Sequence, residues 1–215
     1  RRMIELHNID CMEYLATCKD NAFELAIVDP PYGLNQFHKT SSRGKLATVK
    51  NYKPFFGNDK TSPSEEYFAE LERVSINQII WGANHFRARN SSCWVVWDKD
   101  NGATDFADAE LAYTTFNTAV RVFRFKWQGM LQGDMKNKEE RIHPTQKPVK
   151  LYEWLLMNYA KEGDRILDTH LGSGSIAIAC HNLGFDLVGC ELDTDYFNAA
   201  QKRFKQHQAQ IRIPL

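Results

Sequence analysis

The chain has 215 residues, long enough for one sizeable core and short for two. Hydrophobic residues make up 43%, charged residues 25% and aromatics 12%, the balance of an ordinary globular protein and not of a disordered one. With 27 basic and 27 acidic side chains the formal net charge is zero, so no global field marks a polyanionic partner, and any nucleic-acid contact must use a local patch.

The chain opens with a short predicted strand, Met3 to Leu6, then a helix around Cys11 to Cys18. An apolar strand follows, Leu25 to Val28, which stops at Asp29-Pro30. No run approaches the about 18 apolar residues of a membrane helix, and Arg1 to Glu5 lacks the apolar stretch of a signal peptide; a cytosolic protein with no membrane partner is expected. The five cysteines, Cys11, Cys18, Cys93, Cys180 and Cys190, include no Cys-x-x-Cys pair, so reduced packed thiols are expected and no metal site.

From Leu34 to Asn58 there is no Asp or Glu, while Lys39, Arg43, Lys45, Lys50 and Lys53 are basic and Phe37, Tyr52, Phe55 and Phe56 supply aromatic faces. Cations of this kind meet phosphates and rings stack on bases; the competing reading is a solvated loop. Its position directly after Asp29-Pro30-Pro31-Tyr32 favours a DNA contact. Next, Ser62-Pro63-Ser64-Glu65 reads as a capping box with proline at the first helical position, opening a helix to about Val74.

Strands are predicted at Gln78 to Trp81 and Cys93 to Trp97, and a short helix or turn with three acids at Asp105 to Tyr113. Ala119 to Trp127 alternates as a half-exposed strand, and Gln128 to Arg141 has no period and reads as a mobile loop. A helix from Pro148 to about Lys161 puts Leu151, Trp154, Leu155 and Tyr159 on one face and stops at Gly163. Strand Arg165 to Asp168, helix Ile176 to Leu183, strand Asp186 to Glu191 and helix Asp195 to Gln206 complete the chain. This alternation predicts an α/β fold with a doubly wound, mostly parallel sheet.

Two constellations carry chemistry. Asp168-Thr169-His170-Leu171-Gly172-Ser173-Gly174-Ser175 sets two glycines at a strand-to-helix turn, where a ligand can approach the backbone, and Glu191 ends the next strand, where an acid can hold ribose hydroxyls. A nucleoside-containing cofactor is therefore expected. The glycine pattern also fits dinucleotide binders, yet the residues left after Glu191 are too few for a nicotinamide-binding half. Asp29-Pro30-Pro31-Tyr32-Gly33 is sharper, since that tetrad arises by chance in roughly one chain of this length in a thousand. The Asp29 carboxylate and the Pro30 carbonyl can accept both hydrogens of an exocyclic amine, and Tyr32 offers a ring for a base.

These segments, with His143 to Pro148 and Val188 to Glu191, resemble the β-class amino-methyltransferases of DNA over nearly the whole chain. Trp81 to Phe86, Trp97-Asp98-Lys99 and Phe106 to Glu110 are similar to elements of small phage and prophage members. The resemblance implies a Rossmann-like fold dependent on S-adenosyl-L-methionine, acting on double-stranded DNA with a flipped adenine in a bacterial or phage-infected cell. It implies catalytic roles for Asp29, Pro30, Pro31 and Tyr32. Gly172, Ser173 and Gly174 would lie against the cofactor's methionine, Glu191 on its ribose, and Thr145, Gln146 and Lys147 near its carboxylate, with Asp10 near its adenine and Asp168 and His170 in the same site. A single domain is implied: residues 1–125 form the catalytic half, 126–142 a short candidate target-recognition loop, and 143–215 the cofactor half. Thr169, His170 and Ser175 stand where the family usually has proline, phenylalanine and threonine. Methylation of cytosine N4, and a DNA-binding or partner subunit without turnover, are the alternatives at this stage.

Overall fold

The computed structural model describes residues 3–34, 62–86, 90–102, 107–128 and 131–210. The basic segment carrying Lys39, Arg43, Lys45, Lys50 and Lys53 lies outside the described residues. In chain order the structure runs β1 (Ile4–His7), α1 (Cys11–Thr17), β2 (Phe23–Val28), α2 (Glu65–Val74), β3 (Ser75–Trp81), β4 (Trp94–Asp98), β5 (Ala109–Thr114) and β6 (Arg121–Arg124). It continues with a small hairpin of β7 (Trp127–Gln128) and β8 (Leu131–Gln132), then α3 (Val149–Tyr159), β9 (Arg165–Asp168), α4 (Ser175–Leu183), β10 (Asp186–Cys190) and α5 (Thr194–Ala209).

Among the described residues eight strands form one sheet in the order β1-β10-β9-β2-β3-β5-β4-β6. Pairing is parallel from β1 to β3, antiparallel on both sides of β5, and parallel again between β4 and β6. Strands of the second half, β9 and β10, thus sit between β1 and β2 of the first. Alternation along each strand sorts the core into two faces. Ala26, Val28, Ile80, Leu167 and Val188 pack with Leu15 of α1 and Tyr67, Leu71 and Val74 of α2. Leu25, Ile27, Ile79, Trp81, Ile166 and Leu187 pack with Leu151, Leu155 and Leu156 of α3, Ile176 and Ala179 of α4, and Ala200 and Phe204 of α5. The result is a sheet covered on both faces by helices, as parallel strands buried on both faces require.

Local chemistry shifts three expectations. The cap of α2 is Ser64, whose Oγ accepts the Tyr67 N–H at 3.3 Å, so Pro63 precedes the cap instead of occupying the first helical position. Ser62 is drawn off, donating its hydroxyl to the Tyr32 carbonyl at 3.4 Å. Residues 109–114 form a strand where a short helix or turn was expected: Ala, Glu and Leu favour helix alone, but the slot between β3 and β4 supplies backbone partners on both edges. The segment 131–141, expected to be a mobile loop, is tied down. Gln132 and Glu139 exchange two side-chain-to-backbone bonds at 2.8 Å each, and Asp134 accepts the Lys136 and Asn137 amides.

β2 feeds through α2 to β3 on one side, and its neighbour β9 feeds through α4 to β10 on the other. The strands are in register, Ala26 opposite Leu167, so their carboxyl ends open together where the chain's direction of travel reverses. Open α/β sheets bind ligands in the crevice at such a point.

Candidate active site

Asp29 follows the last residue of β2, and the two prolines stiffen the exit. Its Oδ1 accepts the Tyr32 hydroxyl at 2.6 Å, and its Oδ2 pairs with the Lys147 ammonium. The Tyr32 ring rests directly on the Gly82 backbone: Gly82 has φ +70°, and a β-carbon there would fall 2.0 Å from Tyr32 Cε1. His85 stacks on the same ring, with centroids 5.2 Å apart and planes 21° apart, and Phe86 meets it edge-on at 6.0 Å. The turn after β3 is therefore a bed shaped for Tyr32.

Lys147 is 3% exposed in its side chain and serves two acids. Besides Asp29 it meets Glu110 Oε2 at 3.1 Å, and Glu110 Oε1 in turn meets the Lys99 ammonium at 2.5 Å. Its Nζ lies 5.4 Å from the centroid of Trp81 and 5.9 Å from that of Tyr32. Burial raises the Asp29 carboxyl above its ordinary value, against the opposing pull of Lys147. Burial also acts to raise Glu110, but Lys147 and then Lys99 outweigh it and hold that carboxyl at about 2. Burial disfavours the Lys147 charge, and the two carboxylates overcome this to raise its pKa.

Across the crevice, β9 ends in Asp168, 2% exposed, which accepts the His170 amide at 3.0 Å. Burial pushes this carboxyl up to about 8 against the pull of the His170 amide, and the charges of Asp29 and Glu191 add to the shift. Gly172 (φ +51°) and Gly174 (φ +70°) are both left-handed, a conformation that strains residues with a β-carbon, and they deliver the chain into α4. Glu191, just beyond β10, accepts the Gly172 N–H at 2.7 Å and the Asp193 N–H at 2.9 Å. Two left-handed glycines facing a carboxylate at the switch point form a cradle suited to the ribose and amino-acid parts of a nucleoside cofactor.

Thr169 and His170, the departures from the family pattern, make a polar junction with α2. Thr169 Oγ1 lies 2.7 Å from the Tyr67 hydroxyl and 2.9 Å from His170 Nδ1, and the His170 ring meets Tyr67 edge-on at 5.5 Å. Burial lowers the His170 pKa to about 4, leaving a neutral ring.

The segment 143–148 bridges the two sides of the crevice. His143 lies over Gly172 and packs edge-on against Tyr196 at 4.3 Å, while Lys147 reaches Asp29. Thr145 is exposed, its hydroxyl 3.0 Å from His143 Nδ1. Gln146 turns away from the crevice: its Oε1 accepts the Ile142 N–H and its amide donates to the Glu140 carbonyl. Asp10 caps α1 by accepting the Met12 N–H at 2.8 Å. Ser173 is buried with its hydroxyl 3.1 Å from that of Ser175, and Arg203 donates to the Ser173 carbonyl and to Glu139.

The structure thus gathers Asp29, Tyr32 and Lys147 on one side and Asp168, Gly172 and Glu191 on the other. Sequence reasoning gave no site role to Gly82, Lys99, Glu110 or Arg203. For Glu110 a signal existed, since it shares parity with the buried Ala112 and Thr114. All five cysteines are free thiols. Among the described residues no helix is long and apolar enough to cross a membrane, and no cluster of His, Cys, Asp or Glu is placed to hold a metal.

A family model described as DNA methylase matches residues 89–202, more than half of the chain. Type II methyltransferase M.HpaI of Haemophilus parainfluenzae is 37% identical over 235 residues, spanning 90% of this chain and 72% of that protein. Type II methyltransferase M2.DpnII of Streptococcus pneumoniae is 26% identical over 254 residues, spanning 95% of this chain and 90% of its own length. The crystal structure of the M1.HpyAVI–SAM complex matches in fold with a TM-score of 0.58 at 22% identity, covering 94% of this chain and 100% of that one.

Proposed function

The chain belongs to the DNA methylase family, and on that premise we propose that it methylates the exocyclic N6 amine of adenine in double-stranded DNA. The methyl donor is S-adenosyl-L-methionine, and the base is flipped out of the stack into the crevice beside Asp29. One observation carries the reading: a buried carboxylate with a lysine counter-charge stands at the switch point directly across from a glycine cradle and its own acid, Glu191. Such a pair of subsites brings an amine and a methyl donor together.

S-adenosyl-L-methionine supplies an electrophilic methyl group on a sulfonium when bound. Everything else falls to the chain. Adenine's amine is a poor nucleophile because its lone pair is delocalised into the ring. Accepting its two hydrogens at the Asp29 carboxylate and the Pro30 carbonyl draws the nitrogen toward tetrahedral character and aims the lone pair. Tyr32, already bedded on Gly82 and His85, stacks on the flipped base. Gly172, Ser173, Gly174 and Glu191 hold the donor, and His143 covers it. The rate gain comes from holding the two groups in near-attack geometry, with no covalent intermediate on the protein. Aspartate at position 29 favours adenine, because cytosine-N4 enzymes of this class more often carry serine there.

The basic segment from Leu34 to Asn58, with Lys39, Arg43, Lys45, Lys50 and Lys53, clamps the DNA backbone, and residues 126–142 contact the target. The chain works as one domain in the cytoplasm of a bacterial or phage-infected cell. Incubation with labelled S-adenosyl-L-methionine and unmethylated DNA, followed by nucleoside analysis, tests the reading: label in N6-methyladenine is expected. Label in N4-methylcytosine overturns the base assignment. Absence of label with Asp29→Ala, at unchanged cofactor binding, separates the catalytic role of Asp29 from cofactor binding.

A further inference from the structure

Four alternating charges run from the crevice into the sheet: Asp29, Lys147, Glu110 and Lys99. They come from four separate elements, the exit of β2, the segment 143–148, the inward face of β5, and the residue after β4. Among the described residues no hydrogen bond or ion pair joins any of the four to Gly172, Gly174 or Glu191. Glu110 stands opposite Trp97 across the β4–β5 ladder and on the same face as Ala112, so the strand itself delivers the acid beneath Lys147. The aromatic face of Trp81 supports the ammonium.

We propose that Lys147 and Glu110 are positioning residues for methyl transfer. Lys147 keeps Asp29 ionised and occupies Oδ2, leaving Oδ1 for the amine, while Glu110, fixed by Lys99, takes a share of the ammonium's charge so that Asp29 stays a strong acceptor. The inference rests on the proposed methylation of an exocyclic amine.

The physical case starts from desolvation. A lone carboxylate in this position takes up a proton, and a protonated Asp29 loses acceptor capacity. A lysine held by Asp29 alone opposes that, yet a tight one-to-one pair drains the acceptor of charge. Sharing the lysine between two acids resolves the conflict, and Lys99 restores neutrality across the set. At Oδ1 the partner is a neutral hydroxyl, that of Tyr32, whose hydrogen bond an amine hydrogen can replace while the ring stays on Gly82.

Asp29 is faced by Tyr32 from its own loop, Tyr67 from α2, Glu110 from β5, Lys147 from 143–148, Tyr152 from α3 and Asp168 from β9. Among these, Lys147 is the cation, and Glu110 and Asp168 are the other acids. Removing the cation and removing an acid therefore displace the titration of Asp29 in opposite directions, an outcome that loss of packing does not produce.

The test compares wild type with Lys147→Met, Lys147→Arg and Glu110→Gln. Single-turnover methyl transfer at saturating cofactor is followed across pH, together with calorimetric cofactor affinity, melting temperature and carbon-13 titration of the Asp29 carboxyl. For Lys147→Met we expect the acid limb to move up in pH and the neutral-pH rate to fall by about 100-fold, as misplacement of a reacting group costs. Its cofactor affinity stays within a few-fold of wild type, and Lys147→Arg returns the limb toward wild type. Glu110→Gln moves the limb down and slows transfer. The proposal is overturned by limbs that stay in place while activity tracks melting temperature. It is equally overturned by a Lys147→Met protein that binds cofactor at least about tenfold more weakly yet transfers at the wild-type rate once saturated. If wild type methylates no adenine, the amine reading fails by itself, while the carbon-13 titration still reports whether Lys147 and Glu110 act on Asp29.

Discussion

Gly82→Ala tests whether the bed under Tyr32 matters for chemistry. At φ +70° the alanine backbone alone is strained by roughly 1–2 kcal/mol. The added β-carbon would fall 2.0 Å from Cε1, 2.4 Å from Cδ1 and 2.4 Å from Cζ of Tyr32, so the ring must leave. Its departure breaks the hydrogen bond to Asp29 and the stack on His85, about 1–2 kcal/mol more. A total of about 2–4 kcal/mol, at about 2–4 °C per kcal/mol for a chain of this size, lowers the melting temperature measurably by calorimetry. Gly163→Ala is the control: Gly163 is also left-handed, at φ +91°, but a β-carbon there meets nothing within 4 Å. It therefore carries the backbone strain without the ring displacement. We expect Gly82→Ala to lose at least about tenfold in single-turnover methyl transfer at saturating cofactor and DNA, with cofactor affinity unchanged, and Gly163→Ala to lose stability only. Wild-type transfer by Gly82→Ala at a temperature where it is folded would refute the idea that Tyr32 must sit on Gly82 to act.

Three further outcomes follow from the same geometry. Glu191→Ala should weaken S-adenosyl-L-methionine by the roughly 1.5–3 kcal/mol of a charge-assisted hydrogen bond, about one to two decades in Kd by titration calorimetry. An unchanged titration removes Glu191 from the cofactor site. Replacing Lys39, Arg43 and Lys45 together by alanine should weaken DNA binding and make the slope of log affinity against log salt shallower by up to about 0.9 for each phosphate no longer neutralised, at unchanged cofactor affinity. A wild-type slope shifts the phosphate-binding role to Lys126, Lys136, Lys138 and Arg141. For Asp168, whose folded pKa is raised to about 8, the stabilising proton is fully bound below the ordinary carboxylate value and lost as pH rises through about 8. Wild-type stability without cofactor should therefore fall between about pH 4 and 8 more steeply than that of Asp168→Asn, and parallel denaturation profiles for the two proteins would contradict a carboxyl whose pKa is raised by burial.

Reading the chain alone located the elements whose signal is local. The apolar runs ending at Val28, Asp168 and Cys190 emerged as strands to within one or two residues, because each stops at a proline or an acid that cannot continue a buried strand. The glycine turn and Glu191 were visible for the same reason, since a positive-φ requirement and a strand-ending acid are written within a few residues. What stayed hidden depends on partners far away in sequence. Lys147 is 118 residues from Asp29, and nothing in His143 to Pro148 says which acid the lysine will meet. β5 was misread because its helix-favouring residues are overruled by two neighbouring strands, and with the strand went the inward direction of Glu110. Gly82 is bound to its role by Tyr32, which comes from a different loop 50 residues earlier and lies on it. The legible half of the site is the glycine turn with Glu191, the half proposed to hold the cofactor through backbone conformation. The illegible half is the charge set around Asp29, which exists only once β5 is inserted between β3 and β4. An acid at position 110 and a lysine at position 147 should therefore be read together, as one pair whose meaning comes from sheet order and not from either motif.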